Sequence, residues 1–206
     1  MFGFDPDMIF RIPALLITLT IHEYAHARAA VSLGDPTPRF LGRLTLNPIP
    51  HLDPIGLIML WLFKFGWAKP VPVNPSNFLN PRKGMMVVAL AGPVSNILLA
   101  LITAIAITLI SSFRLGGEEV MKMLRWIYMY NIIFAIFNLL PIPPLDGGKV
   151  VASLLPPRYA HVYESIEPYG TWILMGLVWM GVIGVVIYPL QIFLSRAISL
   201  VVMTIF

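Results

Sequence analysis

His22-Glu23-Tyr24-Ala25-His26 places two imidazoles four residues apart with a carboxylate between them. On a helix this spacing sets both rings on one face, about 6 Å apart along the axis, and leaves the glutamate beside them as a general base for an attacking water. The chemistry implied is zinc-assisted hydrolysis, which takes three protein ligands and one open position. The pentapeptide supplies two. The chain has no cysteine, so the third must be a His, Asp or Glu. His51, Asp53 and Asp146 lead, with His161, Glu164 and Glu167 further along a loop. Asp146 is favoured because the break Pro141-Ile142-Pro143-Pro144 lets a carboxylate turn back into a bundle, and Gly147-Gly148 gives it room. Without the paired histidines, an Asp before Gly-Gly reads as a turn or a helix cap.

The surroundings of the pentapeptide are apolar from Met8 to Leu33. Hydrophobic residues make up 58% of the 206 residues, only 12% are charged, and the mean hydropathy is +0.82. An ordinary soluble domain is about 25% charged, so this composition is that of an integral membrane protein. Each ionisable group inside a spanning helix costs about 2.5–3.5 kcal/mol, and a divalent cation is an economical way to compensate three in so short a stretch. The acidic start, Met-Phe-Gly-Phe-Asp-Pro-Asp, predicts a retained first helix rather than a cleaved leader.

The net charge of +4 reports membrane orientation and not nucleic-acid binding, because the basic residues fall between apolar runs. With the first helix starting outside, Arg39, Arg43, Lys64, Lys69, Arg82, Lys83, Lys149 and Arg158 are all cytoplasmic. Asp5, Asp7, Glu118 and Glu119 then lie outside, beside Arg114, Lys122 and Arg125. The histidine pair sits in the cytoplasmic half of its span.

These elements must position the chemistry. Span one covers Met8–Leu33 and stops at Gly34-Asp35-Pro36. Thr37 to Pro81 is rich in proline, with short extended pieces at Arg39–Leu46 and Lys69–Val73 and a helix over Ile55–Phe65 too short to cross. Span two, Lys83–Ser112, carries Ala91-Gly92-Pro93 and Asn96, read as helix packing and a cross-helix hydrogen bond. Span three is Val120–Leu140, span four Pro168–Tyr188, and Leu190–Phe206 beyond Pro189 is a fifth span or an interfacial helix. No internal repeat encourages a transporter architecture. The expected fold is an all-α polytopic bundle of four to five spans with a re-entrant or β-hairpin region between the first two. It forms one membrane-embedded domain over 1–206, with a core at 10–155 and C-terminal spans at 168–206.

Together, the pentapeptide, Ala91-Gly92-Pro93 and the run Asn138-Leu139-Leu140-Pro141-Ile142-Pro143-Pro144-Leu145-Asp146-Gly147-Gly148 resemble the site-2 protease family of intramembrane zinc metalloproteases. The resemblance covers residues 10–155. It implies that His22, His26 and Asp146 hold Zn2+, that Glu23 is the catalytic base, and that Asn138 lies near the substrate or the developing oxyanion. It also implies a site open to the cytosol. No segment has the size of an inserted PDZ domain, as in a compact branch of the family.

His51 is a candidate for gating or supporting the site. A substrate helix must unwind before attack, and an exposed edge with Arg39, Leu44, Val71 and Val73 could pair with it as an added strand. The expected partners are a transmembrane protein substrate and the lipid bilayer, in a multi-pass protein of the cell membrane, with no nucleic acid. Two other classes fit less well. A zinc-holding scaffold for transmembrane segments has no need of Glu23. A transporter needs polar groups continuing past Ile9–Ile21, which offers only Arg11, Thr18 and Thr20.

Overall fold

The computed structural model describes residues 7–63 and 66–206. Nine α-helices occur among them: α1 Met8–Ser32, α2 Thr37–Phe40, α3 Pro54–Phe63, α4 Pro81–Ser112, α5 Glu118–Leu139, α6 Asp146–Leu154, α7 Pro157–Glu164, α8 Glu167–Trp179 and α9 Val182–Ile205. Helices α1, α4, α5 and α9 are long and apolar enough to cross a membrane. The expected all-helical, polytopic architecture is therefore the observed one.

The bundle buries several polar groups among its packed helices and turns large apolar side chains outward, where lipid accepts them. Thr18, His51, Asn96 and Asn131 are fully buried, whereas Leu98, Ile102, Val185 and Phe193 are more than half exposed. Helix α1 packs against α4 and α5, and α4 against α5 most extensively. Both partner stripes repeat every four residues, through Ala14, Thr18, His22, His26 and Ala30 on α1 and Gly84, Val88, Gly92, Asn96 and Ala100 on α4, with small residues admitting close backbone approach. An apolar cluster of Ala100, Ile132, Ile136, Ile198 and Val202 joins α4, α5 and α9.

Helix α1 ends where the Gly-Asp-Pro signal places the stop. Gly34 takes φ +103°, its N–H donates to Val31 O at 3.2 Å, and the Asp35 N–H donates to Ala30 O at 3.0 Å. That pair of bonds closes the last turn in the glycine-terminated pattern.

The expected hairpin between spans one and two is not found. Thr37–Phe40, which includes Arg39, is one helical turn, and the described residues hold a single isolated bridge, Leu52 with Ala68, and no strand. Prolines 70 and 72 have no N–H to give a ladder, and prolines 36, 38, 48 and 50 start turns instead. The short helix expected over Ile55–Phe65 is present as α3, capped by Asp53 Oδ1, which accepts from the Gly56 N–H at 2.8 Å. Lys64 and Asp5, used for orientation, lie outside the described residues.

The expected fourth span, Pro168–Tyr188, is also redrawn. Gly181 at φ +75° breaks the chain there, so α8 has 13 residues and reaches only about 20 Å, while α9 runs 24 residues straight through Pro189. Gly181 ends one helix and opens the next. Pro189 removes only one internal bond, to the Val185 carbonyl, a loss that membrane helices tolerate.

Asp35 ties the loop to α1. Its carboxylate accepts from Thr37 N at 3.1 Å, Thr37 Oγ1 at 2.6 Å, Asn74 N at 2.8 Å and Asn77 Nδ2 at 2.7 Å. Burial pushes its pKa up, but these hydrogen bonds outweigh burial and hold it below the ordinary carboxylate range. A depressed folded pKa contributes stability above about pH 4 that is lost as pH falls through the folded value. Asp35→Asn, which turns an acceptor into a donor facing donors, is expected to cost about 1–3 kcal/mol at pH 7. Thermal unfolding in detergent should show that gap shrinking by pH 3; a gap of equal size at both pH values would refute the assignment.

Candidate metal centre

His22 and His26 lie one helical turn apart on the inward face of α1, with their Nε2 atoms 3.0 Å from each other. Asp146 opens α6, immediately after the break at 141–144, where the Pro143–Pro144 peptide bond is cis. Its Oδ2 lies 3.1 Å from each Nε2. All three side chains are buried, with exposures of 5, 8 and 7%. A first-turn carboxylate is also favoured by the helix dipole.

The glycines on both sides make this convergence possible. A Cβ at Gly92 would lie 2.5 Å from His22 Cε1 and 2.5 Å from His26 Nε2, closer than side chains approach. Gly92 is thus the hollow in α4 that receives both rings, beyond the packing role read from sequence. Cβ atoms at Gly147 and Gly148 would strike the backbones of Leu139, Leu140, Ile142 and Pro143, so only glycine lets α6 tuck under the end of α5. The break is held from beyond by Tyr163, whose hydroxyl donates to Pro141 O at 2.8 Å, and by Gly170 packed against Pro143.

The hydrogen bonds on the far side of each ring settle what the near side can do. His26 Nδ1 lies 2.7 Å from Val88 O, which can only accept, so the neutral ring carries its proton on Nδ1 and presents a lone pair at Nε2. His22 Nδ1 lies 2.6 Å from Asn96 Oδ1, with the same consequence. Asp146 Oδ2 is buried and receives no hydrogen bond. Three acceptors therefore face one another at about hydrogen-bond distance, an arrangement that repels itself unless a cation sits among them. Tetrahedral zinc with bonds of about 2.0–2.2 Å separates its ligands by about 3.3 Å, close to these spacings. Among the described residues, His22, His26 and Asp146 form the one group of His, Asp or Glu able to hold a metal ion in this way.

The other third-ligand candidates are engaged elsewhere. Asp53 caps α3, and His161, Glu164 and Glu167 are exposed. His51 is fully buried in the loop; its Nε2 donates to Thr45 O at 3.0 Å and its Nδ1 faces Arg43 Nη2 at 3.5 Å. Of the residues considered for substrate pairing, Arg39 is exposed on α2, Leu44 and Val71 are half-buried, and Val73 packs against the Ala30, Phe78 and Val88 cluster. Asn138 is half-buried and turns back on its own helix, Nδ2 donating to Phe134 O at 3.0 Å.

Glu23 is buried at 8% exposure beside the pair. Sequence reasoning missed its counterpart. Arg43, counted only as an orienting charge, is buried at 4% exposure and donates to Lys69 O. Burial lowers its pKa, and the charge of Glu23 pulls it the other way. The loop thus keeps a cation within electrostatic range of Glu23. A lone arginine in a proline-rich loop carries no local signal of that.

Comparison with known proteins bears on this geometry. The model of peptidase family M50 matches residues 114–181, which hold α5 to α8 and therefore Asn138 and Asp146. Over the wider chain, YwhC of Bacillus subtilis (strain 168), named as a candidate zinc metalloprotease, is 40% identical across 171 residues, covering 79% of this chain and 77% of its own. The chain belongs to peptidase family M50. Rip2 of Mycobacterium tuberculosis (strain ATCC 25618 / H37Rv), named likewise, is 30% identical over 174 residues, 81% of this M50 chain and 65% of Rip2. Zinc metalloprotease MJ0392 of Methanocaldococcus jannaschii is 22% identical over 151 residues, 73% of this chain and 36% of that one. No solved structure matches at a significant level. Family membership and the four apolar helices make this a multi-pass membrane protein of a metalloprotease family.

Proposed function

We propose that this M50 member is an intramembrane zinc metalloprotease of the HExxH type, hydrolysing peptide bonds in or near transmembrane segments of other membrane proteins. The observation that carries the reading is the triangle of bare acceptors formed by His22 Nε2, His26 Nε2 and Asp146 Oδ2 inside a polytopic bundle. Zinc held there would supply Lewis acidity, polarising a scissile carbonyl and making water nucleophilic near neutral pH. Glu23 takes the proton from the attacking water and returns it to the departing amide nitrogen. Arg43 keeps a positive charge within electrostatic range of Glu23. Asn138, at the end of α5 just before the break, is assigned to the substrate side.

The arrangement of charges supports a cytoplasmic orientation of the site. Arg39, Arg43, Lys69, Arg82, Lys83, Lys149 and Arg158 all lie at one end of the spans, so this end, with the metal centre beneath it, faces the cytoplasm of the cell membrane. Metal analysis of the protein purified in detergent is expected to find about one zinc per chain, falling to background in Asp146→Ala, together with cleavage of a transmembrane peptide by the wild type alone. Full zinc in Asp146→Ala would overturn the ligand set. Zinc binding without any cleavage across a panel of transmembrane peptides would favour a scaffold.

A further inference from the structure

Behind His22 a row of buried polar groups crosses three helices, and its hydrogen bonds can run in only one direction. Thr18, Asn96 and Asn131 have no exposed surface, so no solvent stands in for a missing partner. The row starts from two carbonyls, which only accept. Thr18 Oγ1 donates to Ala14 O at 2.9 Å, spending its single hydrogen. Asn131 Nδ2 then gives one hydrogen to Ile127 O at 2.8 Å and the other to Thr18 Oγ1 at 2.9 Å. Both donors are used, so the Asn131 amide cannot flip, and its Oδ1 must face Asn96.

Asn96 inherits that direction. Its Nδ2 donates to Asn131 Oδ1 at 2.8 Å and to Thr18 O at 3.3 Å, which turns its Oδ1 onto His22 Nδ1. An oxygen at 2.6 Å requires a hydrogen on Nδ1, and the neutral imidazole then presents a lone pair at Nε2. Were Asn96 flipped, its amino group would meet Nδ1, the hydrogen would move to Nε2, and His22 would offer nothing to a cation.

We propose that Asn131, with Thr18, is a positioning residue that sets the tautomer and ring orientation of His22 through Asn96, two residues removed from the metal centre and on a different helix. The proposal deepens the reading of His22 as a zinc ligand and rests on it. Outer partners of a ligating histidine typically carry a 10–100-fold share of metal affinity. The fully buried position of Asn131 and the fixed direction of its bonds assign it that share at one further remove.

The test is Asn131→Leu, close in size but without either bond. Zinc affinity measured by chelator competition is expected to fall about 10–100-fold. In nitrogen-15 histidine spectra of the zinc-free protein, the His22 Nδ1–H form of the wild type is expected to give way to a mixture with Nε2–H. Thr103→Val removes a buried hydroxyl from α4 that bonds only Leu99 O, and it should change neither readout. Should Asn131→Leu fail to fold, Thr18→Val breaks the same row from α1 and is expected to move both readouts, with Thr18→Ser restoring them. Wild-type zinc affinity and an unmixed Nδ1–H tautomer in Asn131→Leu would overturn the proposal, as would an equal loss in Thr103→Val. A wild-type protein that binds no zinc would instead sink the metal reading, and the tautomer spectra alone would then decide the role of Asn131.

Discussion

Glu23→Gln is expected to slow cleavage of a transmembrane substrate by about 10²–10⁴-fold while zinc content stays at the wild-type level. The reasoning is geometric. Glu23 follows His22 directly on α1, so it turns about 100° away from the ligand stripe and is not one of the three converging donors. Removing its charge leaves the triangle of His22, His26 and Asp146 intact, and glutamine keeps the shape of the buried side chain. What disappears is the proton acceptor. The measurement is single-turnover cleavage with metal analysis on the same sample. Cleavage at the wild-type rate would dismiss Glu23 as the base; loss of zinc in parallel would mean that the carboxylate is a ligand instead.

The second large effect is expected at a residue with no functional group. Gly92→Ala puts a methyl carbon where two imidazoles already stand, 2.5 Å from His26 Nε2 and from His22 Cε1. The rings cannot both move aside, because His26 is pinned at Val88 O and His22 at Asn96 Oδ1. Either those bonds break or α1 and α4 separate, and the small residues Ala14, Ala27 and Ala30, each with no exposed surface, leave no slack in that interface. Zinc affinity should fall at least about 100-fold, beyond the share ascribed to outer partners, with helical content unchanged by circular dichroism. Gly84→Ala is the natural comparison. Its methyl would press on the Phe78 ring at the loop end of α4, so it should loosen the loop and spare the metal. If Gly92→Ala binds zinc as tightly as the wild type, the two rings have more freedom than their hydrogen bonds imply.

Much of the site was legible because its chemistry is local. Histidines four apart are neighbours on any helix, and an apolar run of the length of Met8–Leu33 has little choice but to be one, so the pair could be read without a fold. The stop at Gly34 was legible for the same reason, since left-handed backbone at a helix end is a property of one residue. Where the sequence misled, the deciding interactions were between segments. Lys69–Val73 has the look of a strand, but its neighbours offer no complementary edge, and the chain settles into turns held by Asp35, Arg43 and His51 instead. Pro189 is a conspicuous helix breaker on paper, yet the break falls at Gly181, because a single lost bond inside a packed membrane helix is cheaper than a new pair of helix ends.

By itself the sequence determined that this is a multi-pass membrane protein carrying a histidine pair with a glutamate between them, since hydropathy and residue spacing act within one segment. Only the tertiary structure decided that Asp146, 120 positions beyond His26, is the carboxylate that meets the pair, that Gly92 is the space they occupy, and that Asn96 and Asn131 turn one of them the right way round. Those outcomes depend on how three spanning helices are stacked and turned. In lipid that stacking is governed by close packing and by the need of every buried polar group for a partner on another helix, a condition that no single stretch of chain contains.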